Sequence, residues 1–118
     1  LTKRLLVAAA TAAAVFVSGT IAAQAQCGGA SWYGPGFNGK RAASGEIFNE
    51  NAMTAAHKSL PFGTKLRVVD QRNGNAIVVT INDRGPFVHG RIIDLSKAAA
   101  TQLGFRNRGT TSVCIEQI

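Results

Sequence analysis

From residue 30 onward the apolar residues come in short extended runs broken by glycine, proline and asparagine. Ala30-Ser31-Trp32-Tyr33 reads as a first strand, closed by the turn residues Gly34-Pro35-Gly36 and Asn38-Gly39. Met53-Thr54-Ala55-Ala56-His57 is a second extended piece, followed by the turn Leu60-Pro61-Phe62-Gly63. The clearest pattern is Leu66–Val69 and Ala76–Ile81, two β-branched runs on either side of Asn73-Gly74. Polar and turn-forming residues, Asn82-Asp83-Arg84-Gly85-Pro86-Phe87, end that second run. Arg91–Leu95 is a further strand, and Thr110–Ile115 the last. Between them Ser96 caps an alanine-rich helix, Lys97–Leu103, which Gly104 closes. Many short strands, frequent glycine and one clear helix predict a mainly β domain, a small closed barrel or a sandwich.

The first quarter follows another pattern. Lys3-Arg4 precedes an apolar stretch that runs to Val17, and Ala23-Gln24-Ala25 supplies small residues at the spacing a signal peptidase reads. That order predicts a cleaved signal peptide over residues 1–25 and a domain over 26–118, secreted or periplasmic. The apolar part is shorter than the roughly 20 residues that span a bilayer, so no stable membrane anchor is expected after cleavage. Gln26 is bulky and polar where a lipid-attachment signal wants a small residue before its cysteine. With the leader removed, 11 basic side chains face 6 acidic ones, a net +5. The basic residues are scattered singly, so the expected partner is an anionic wall polymer and not nucleic acid. With 2 Cys and 2 His in the chain, a closed Cys-rich zinc site is excluded, and no metal is expected. Cys27 and Cys114, near opposite ends of the exported domain, are expected to form a disulfide.

Chemistry must come from few groups. Glu46, Asp83, Asp94 and Asp70 sit in or beside turns, and Glu50 and Glu116 lack distinctive surroundings. Cleaving a glycosidic bond takes a proton donor to the leaving oxygen and a negative group facing an oxocarbenium-like centre, so paired carboxyl groups are its usual signature. Glu46 and Asp83, with His57 between them in sequence, are the candidates.

Five strings occur in order: Ala30-Ser31-Trp32-Tyr33-Gly34, Ala43-Ser44-Gly45-Glu46, Thr54-Ala55-Ala56-His57-Lys58-Ser59-Leu60-Pro61, Asn82-Asp83-Arg84-Gly85-Pro86-Phe87 and Arg91-Ile92-Ile93-Asp94-Leu95-Ser96. Together they closely resemble the RlpA-like family (rare lipoprotein A) of bacterial lytic transglycosylases. The resemblance implies a six-stranded double-psi β-barrel with one or two short helices. It also implies endolytic cleavage of peptidoglycan glycan strands between N-acetylmuramic acid and N-acetylglucosamine, leaving 1,6-anhydromuramic ends. On the matching motifs, Glu46 and Asp83 are the expected catalytic acids and His57 the expected third member. Asn49 stands where many members carry an aspartate, three residues after the glutamate.

The reaction needs no cofactor, because the substrate's own C6 hydroxyl replaces water and one carboxyl group can give and then regain the proton. Asp83 is the expected acid/base, with Glu46 orienting or the two exchanged. Trp32, Tyr33, Asn49 and Arg84 are the expected substrate contacts, although core packing serves an aromatic ring equally well. His57 has a second reading, a hydrogen-bonded holder of its loop, and Asp94 reads first as an acceptor at the start of the helix. A monomer is expected. The competing reading is a non-catalytic, expansin-like module that binds wall polysaccharide, since one barrel hosts several functions.

Overall fold

The computed structural model describes residues 25–118; the expected signal peptide lies outside them, apart from Ala25. Six strands form in chain order: β1 (Gln26–Trp32), β2 (Thr54–Ala56), β3 (Lys65–Asp70), β4 (Ala76–Asp83), β5 (Arg91–Leu95) and β6 (Thr110–Gln117). They close into a barrel in the order β1-β5-β2-β4-β3-β6, with β6 returning to β1. The β1–β5 and β2–β4 pairs are parallel and the other pairs antiparallel. Closure leaves no strand edge open to a second chain.

Alternation decides what fills the barrel. Leu66 and Val68 of β3, Ile77, Val79 and Ile81 of β4, and Val113 and Ile115 of β6 all point inward and are buried. Ile93 and Leu95 of β5 join them, and Phe105 is fully buried in the same core. Each such side chain contributes about 1.5–3 kcal/mol on leaving water. Asp70 also points inward, at the end of β3. Its carboxylate accepts from the Arg72 and Asn73 N–H groups and from Thr111 Oγ1, which turns a buried charge into the clamp of the β3–β4 connection.

The helix α1 (Lys97–Leu103) covers the barrel with Ala99, Ala100 and Leu103. Ser96 Oγ accepts from Ala99 N at its start, and Gly104, at φ +99°, gives its N–H to Ala100 O at its end. Cys27 and Cys114 are direct cross-strand partners on β1 and β6 and are joined by a disulfide. The first strand begins earlier than its apolar pattern indicates. β1 starts at Gln26 and not at Ala30, so Gly28-Gly29 lie within the strand. Their missing side chains are what the strand requires. A Cβ on Gly28 would lie 2.8 Å from Ile92 Cγ2, and one on Gly29 would lie 2.9 Å from Gly90 O.

Candidate functional site

The site is built by an irregularity in the β2–β4 ladder. Thr54 pairs with Thr80 and Ala55 with Ile81, but Ala56 pairs with Asp83, so Asn82 is an extra residue on β4. Such a bulge re-aims the residue after it. Ile81 goes into the core, and Asp83 emerges half-buried opposite Ala56. On its other side β2 is paired with β5, and there Ala56 faces Asp94. Two aspartates therefore flank one alanine on the middle strand of three. Their backbones stand about 10 Å apart, two inter-strand spacings. The residue between them is a small one, Ala56, which is itself buried.

The two carboxyl groups are dressed differently. Three donors reach Asp83: Tyr33 OH at 2.7 Å on Oδ2, with Ala43 N at 2.8 Å and Arg84 N at 2.9 Å on Oδ1. Among the described residues, Asp94 accepts only from Ser31 Oγ, at 3.2 Å. Burial pushes the Asp94 carboxyl above the ordinary aspartate range; the Ser31 bond and Arg91 pull the other way, and the charge of Asp83 adds to the rise. The Tyr33 phenol is also raised, first by burial and then by its bond to Asp83, so it stays a neutral donor.

Glu46 arrives on a small loop. Arg41 and Ile47 form an isolated bridge, Gly45 takes φ +97°, and Ser44 N donates to Asn82 O at 3.2 Å. The Glu46 side chain is exposed, and its Oε1 accepts from Asn82 Nδ2 at 3.1 Å. Glu46 and Asp83 thus meet the same end of β4, one through the bulge residue and the other beside it.

His57 is placed otherwise. Its backbone N–H donates to Asp83 O at 3.2 Å, but its ring has a separate set of partners. Nδ1 accepts from Ser59 N and Leu60 N, both at 3.1 Å, and Nε2 lies 3.4 Å from Gln26 Oε1. Two donors on Nδ1 assign the proton of the neutral ring to Nε2. Burial lowers the pKa of His57, and Arg84 and Lys58 lower it further. The ring lines a cavity of about 220 Å³ together with Gln26, Leu60, Leu66 and Ile115, none of which touches the Asp83 carboxylate.

The expected substrate contacts divide. The Arg84 guanidinium stacks 4.1 Å over the Phe62 ring and donates to His57 O and Asp83 O; the backbone N–H, not the side chain, serves the Asp83 carboxylate. One face of Tyr33 is stacked on Phe48, ring centroids 4.4 Å apart, and Phe37 meets it edge-on at 5.6 Å. Trp32 packs partly against the core, and its indole N–H donates to Arg106 O at 3.0 Å. Asn49 turns back on its own loop, accepting from Asn51 N at 2.9 Å.

Asp94 is the group that sequence reasoning undervalued. It reads as a helix-start acceptor, but Ser96 fills that role, and Asp94 faces Ala56 instead. The available clue was a charged residue closing an otherwise apolar strand directly before a serine already able to cap the helix.

Comparison with known proteins adds to this geometry. Residues 25–115 match a double-psi β-barrel family described as lytic transglycolase. Over 87 residues the chain is 58% identical to the probable endolytic peptidoglycan transglycosylase RlpA of Synechocystis, covering 74% of this chain and 27% of that protein. It is 55% identical over 93 residues to the endolytic peptidoglycan transglycosylase RlpA of Neisseria meningitidis, covering 79% of this chain and 39% of that one. The chain thus spans well under half the length of these relatives. Among solved structures, the Streptomyces papain inhibitor superimposes with a TM-score of 0.64 at 22% identity, over 80% of this chain and 94% of that one. An expansin from Clavibacter michiganensis gives 0.64 at 23%, over 80% and 50%. At such identities these two share the fold alone.

Proposed function

Because the chain belongs to the RlpA-like family of double-psi β-barrel lytic transglycosylases, we propose that it cleaves peptidoglycan glycan strands endolytically outside the cytoplasm. The predicted leader, the net basic domain and the disulfide support work in the secreted or periplasmic envelope. The observation that carries the reading is the carboxyl pair Asp83 and Asp94 on either side of Ala56.

The two environments support a division of labour. Asp94, desolvated and held by one donor, keeps a proton further up the pH scale than an ordinary aspartate and gives it to the leaving glycosidic oxygen. The C1–O bond of the muramyl residue breaks as that proton arrives. Asp83, fixed by three donors, presents negative charge to the oxocarbenium-like centre. The C6 hydroxyl of the same sugar then attacks C1 and returns its proton to Asp94, closing the 1,6-anhydro ring with no water consumed. Glu46, held by Asn82, orients the substrate beside Asp83. His57 takes part by holding the turn after β2, since both ring nitrogens already have protein partners.

The test is mass spectrometry of purified glycan strands after incubation with the wild type and with Asp83→Asn, Asp94→Asn and Glu46→Gln. Anhydro ends are expected from the wild type, and the two aspartate variants are expected to lose about 10²–10⁴-fold in rate. Reducing ends would mean a hydrolase. Intact strands that remain bound would mean a wall-binding module.

A further inference from the structure

We propose that the cleft beside Trp32 is a second saccharide subsite, specific for a carboxylate-bearing sugar of the muramyl type. This rests on the glycan-strand reading above and names the feature of the strand that the site selects. The cleft holds about 430 Å³ and is lined by Trp32, Asn38, Glu50, Lys97 and Arg106, with the Pro35-Gly36 turn at its lip. None of these residues belongs to the carboxyl pair.

The aromatic wall comes first. Trp32 closes β1, and its indole N–H is already given to Arg106 O at 3.0 Å. That bond fixes the ring and uses its one donor, so what remains toward the cleft is apolar surface of the kind a pyranose face covers. The charges come next. Lys97 Nζ stands 4.0 Å from Glu50 Oε2, both side chains partly exposed, which is a loose pair. Arg106 is exposed and makes no ion pair among the described residues. Asn38 Oδ1 accepts from Glu50 N at 2.8 Å, which fixes the Glu50 backbone at the cleft; the Glu50 carboxylate lies nearest Lys97, so Arg106 has no carboxylate partner among the described residues. One aromatic wall facing one surplus planar cation recognises a sugar that carries a carboxylate, because the guanidinium fork matches that group.

The cleft is linked to the carboxyl pair through the chain itself. Tyr33 follows Trp32 directly and reaches Asp83 with its hydroxyl, while Phe37, between the two lip residues and Asn38, packs edge-on against Tyr33. In a strand that alternates N-acetylglucosamine with N-acetylmuramic acid, only every second ring carries a carboxylate. A subsite that requires one fixes the register of the strand, and so decides which of the two alternating linkages lies between Asp83 and Asp94. The carboxylate can belong to the lactyl group or to a stem peptide attached to it.

The chain has a single tryptophan, so intrinsic fluorescence reports on this cleft. The full chain is titrated with three ligands that lack the muramyl–glucosamine linkage: N-acetylglucosaminyl-N-acetylmuramic acid, the same disaccharide carrying a dipeptide on its lactyl group, and chitobiose. At least one muramyl ligand is expected to shift the Trp32 emission and to bind about ten-fold or more tightly than chitobiose. The tighter of the two muramyl ligands identifies the carboxylate's source. Arg106→Gln, which keeps the backbone carbonyl that holds the indole, is expected to erase that preference and leave chitobiose binding unchanged. Equal affinity for chitobiose in the wild type, or an unaltered preference in Arg106→Gln, overturns the subsite. Binding is read here without turnover: selective binding by a protein that yields no anhydro ends would sink the enzyme reading alone, and anhydro ends without selectivity would sink the subsite alone.

Discussion

Replacing His57 with alanine removes the acceptor of two backbone N–H groups at once, those of Ser59 and Leu60. An N–H left unpaired away from water costs about 1–3 kcal/mol. Ser59 is exposed and Leu60 half-buried, so water partly replaces the ring and the total falls to about 2–3 kcal/mol. That is a large share of the roughly 5–10 kcal/mol that holds a domain of this size. Asparagine carries its amide oxygen close to the position of Nδ1, whereas glutamine reaches the position of Nε2. Urea denaturation is therefore expected to show His57→Ala and His57→Gln destabilised together, with His57→Asn within about 1 kcal/mol of the wild type. The same argument fixes a pH dependence. Burial holds the folded pKa of His57 below its unfolded value, and Arg84 and Lys58 act in the same direction; Glu116, on the wall of the same cavity, is the acidic neighbour. Stability is then complete above the unfolded pKa, about 6.5, and falls as the pH drops from there toward the folded value, because the unfolded chain binds the proton first. His57→Asn should lack this decline and keep turnover on glycan strands. If His57→Asn folds as stably as the wild type yet loses as much activity as Asp83→Asn, the holding role is wrong and the imidazole takes part in the chemistry.

Three further outcomes can be checked with the same denaturation and activity assays. Gly29→Ala should cost about 1–3 kcal/mol, since its Cβ would meet the Gly90 carbonyl that Gly29 N–H binds at 2.9 Å; an unchanged denaturation midpoint would show that the strand yields. Substituting both Cys27 and Cys114 by serine should lower stability by about 2–4 kcal/mol, read as a shift in Tm against the oxidised wild type, because the bond closes a loop of 87 residues. Asp94→Asn should separate stability from activity. The folded pKa of Asp94 is raised, so the wild type is penalised as the pH climbs through it, and the variant's Tm advantage should grow over that range while turnover falls; an advantage that does not vary with pH would refute the assignment.

How much of this was written in the sequence depends on how local each feature is. The β3–β4 pair, the helix and its caps at Ser96 and Gly104 follow from neighbouring residues, and all appear where the pattern puts them. The Cys27–Cys114 bond follows from two cysteines and a leader. Nothing local marks Gly28-Gly29 as part of β1; their need for space comes from Gly90 and Ile92, some sixty residues away. The bulge at Asn82 exists only relative to β2, so no property of β4 alone reveals it. Asp94 becomes a partner of Asp83 only because the barrel places β2 between β4 and β5, a strand order that local periodicity does not encode. The motif strings singled out Glu46 and Asp83, and both reach the end of β4. They singled out His57 as well, whose ring turns to other partners.

The pairing of Gln26 with Ile115 has a topological consequence. The polypeptide enters and leaves this domain side by side, at the rim where Gln26 and Gln117 line the small cavity under His57. Polypeptide attached to either terminus therefore departs from one pole, as two cords from a single socket, with the disulfide just inside as strain relief. Pulling on those cords loads the β1–β6 seam directly, and the covalent bond there keeps tension from unzipping β1 from β6 and so opening the barrel.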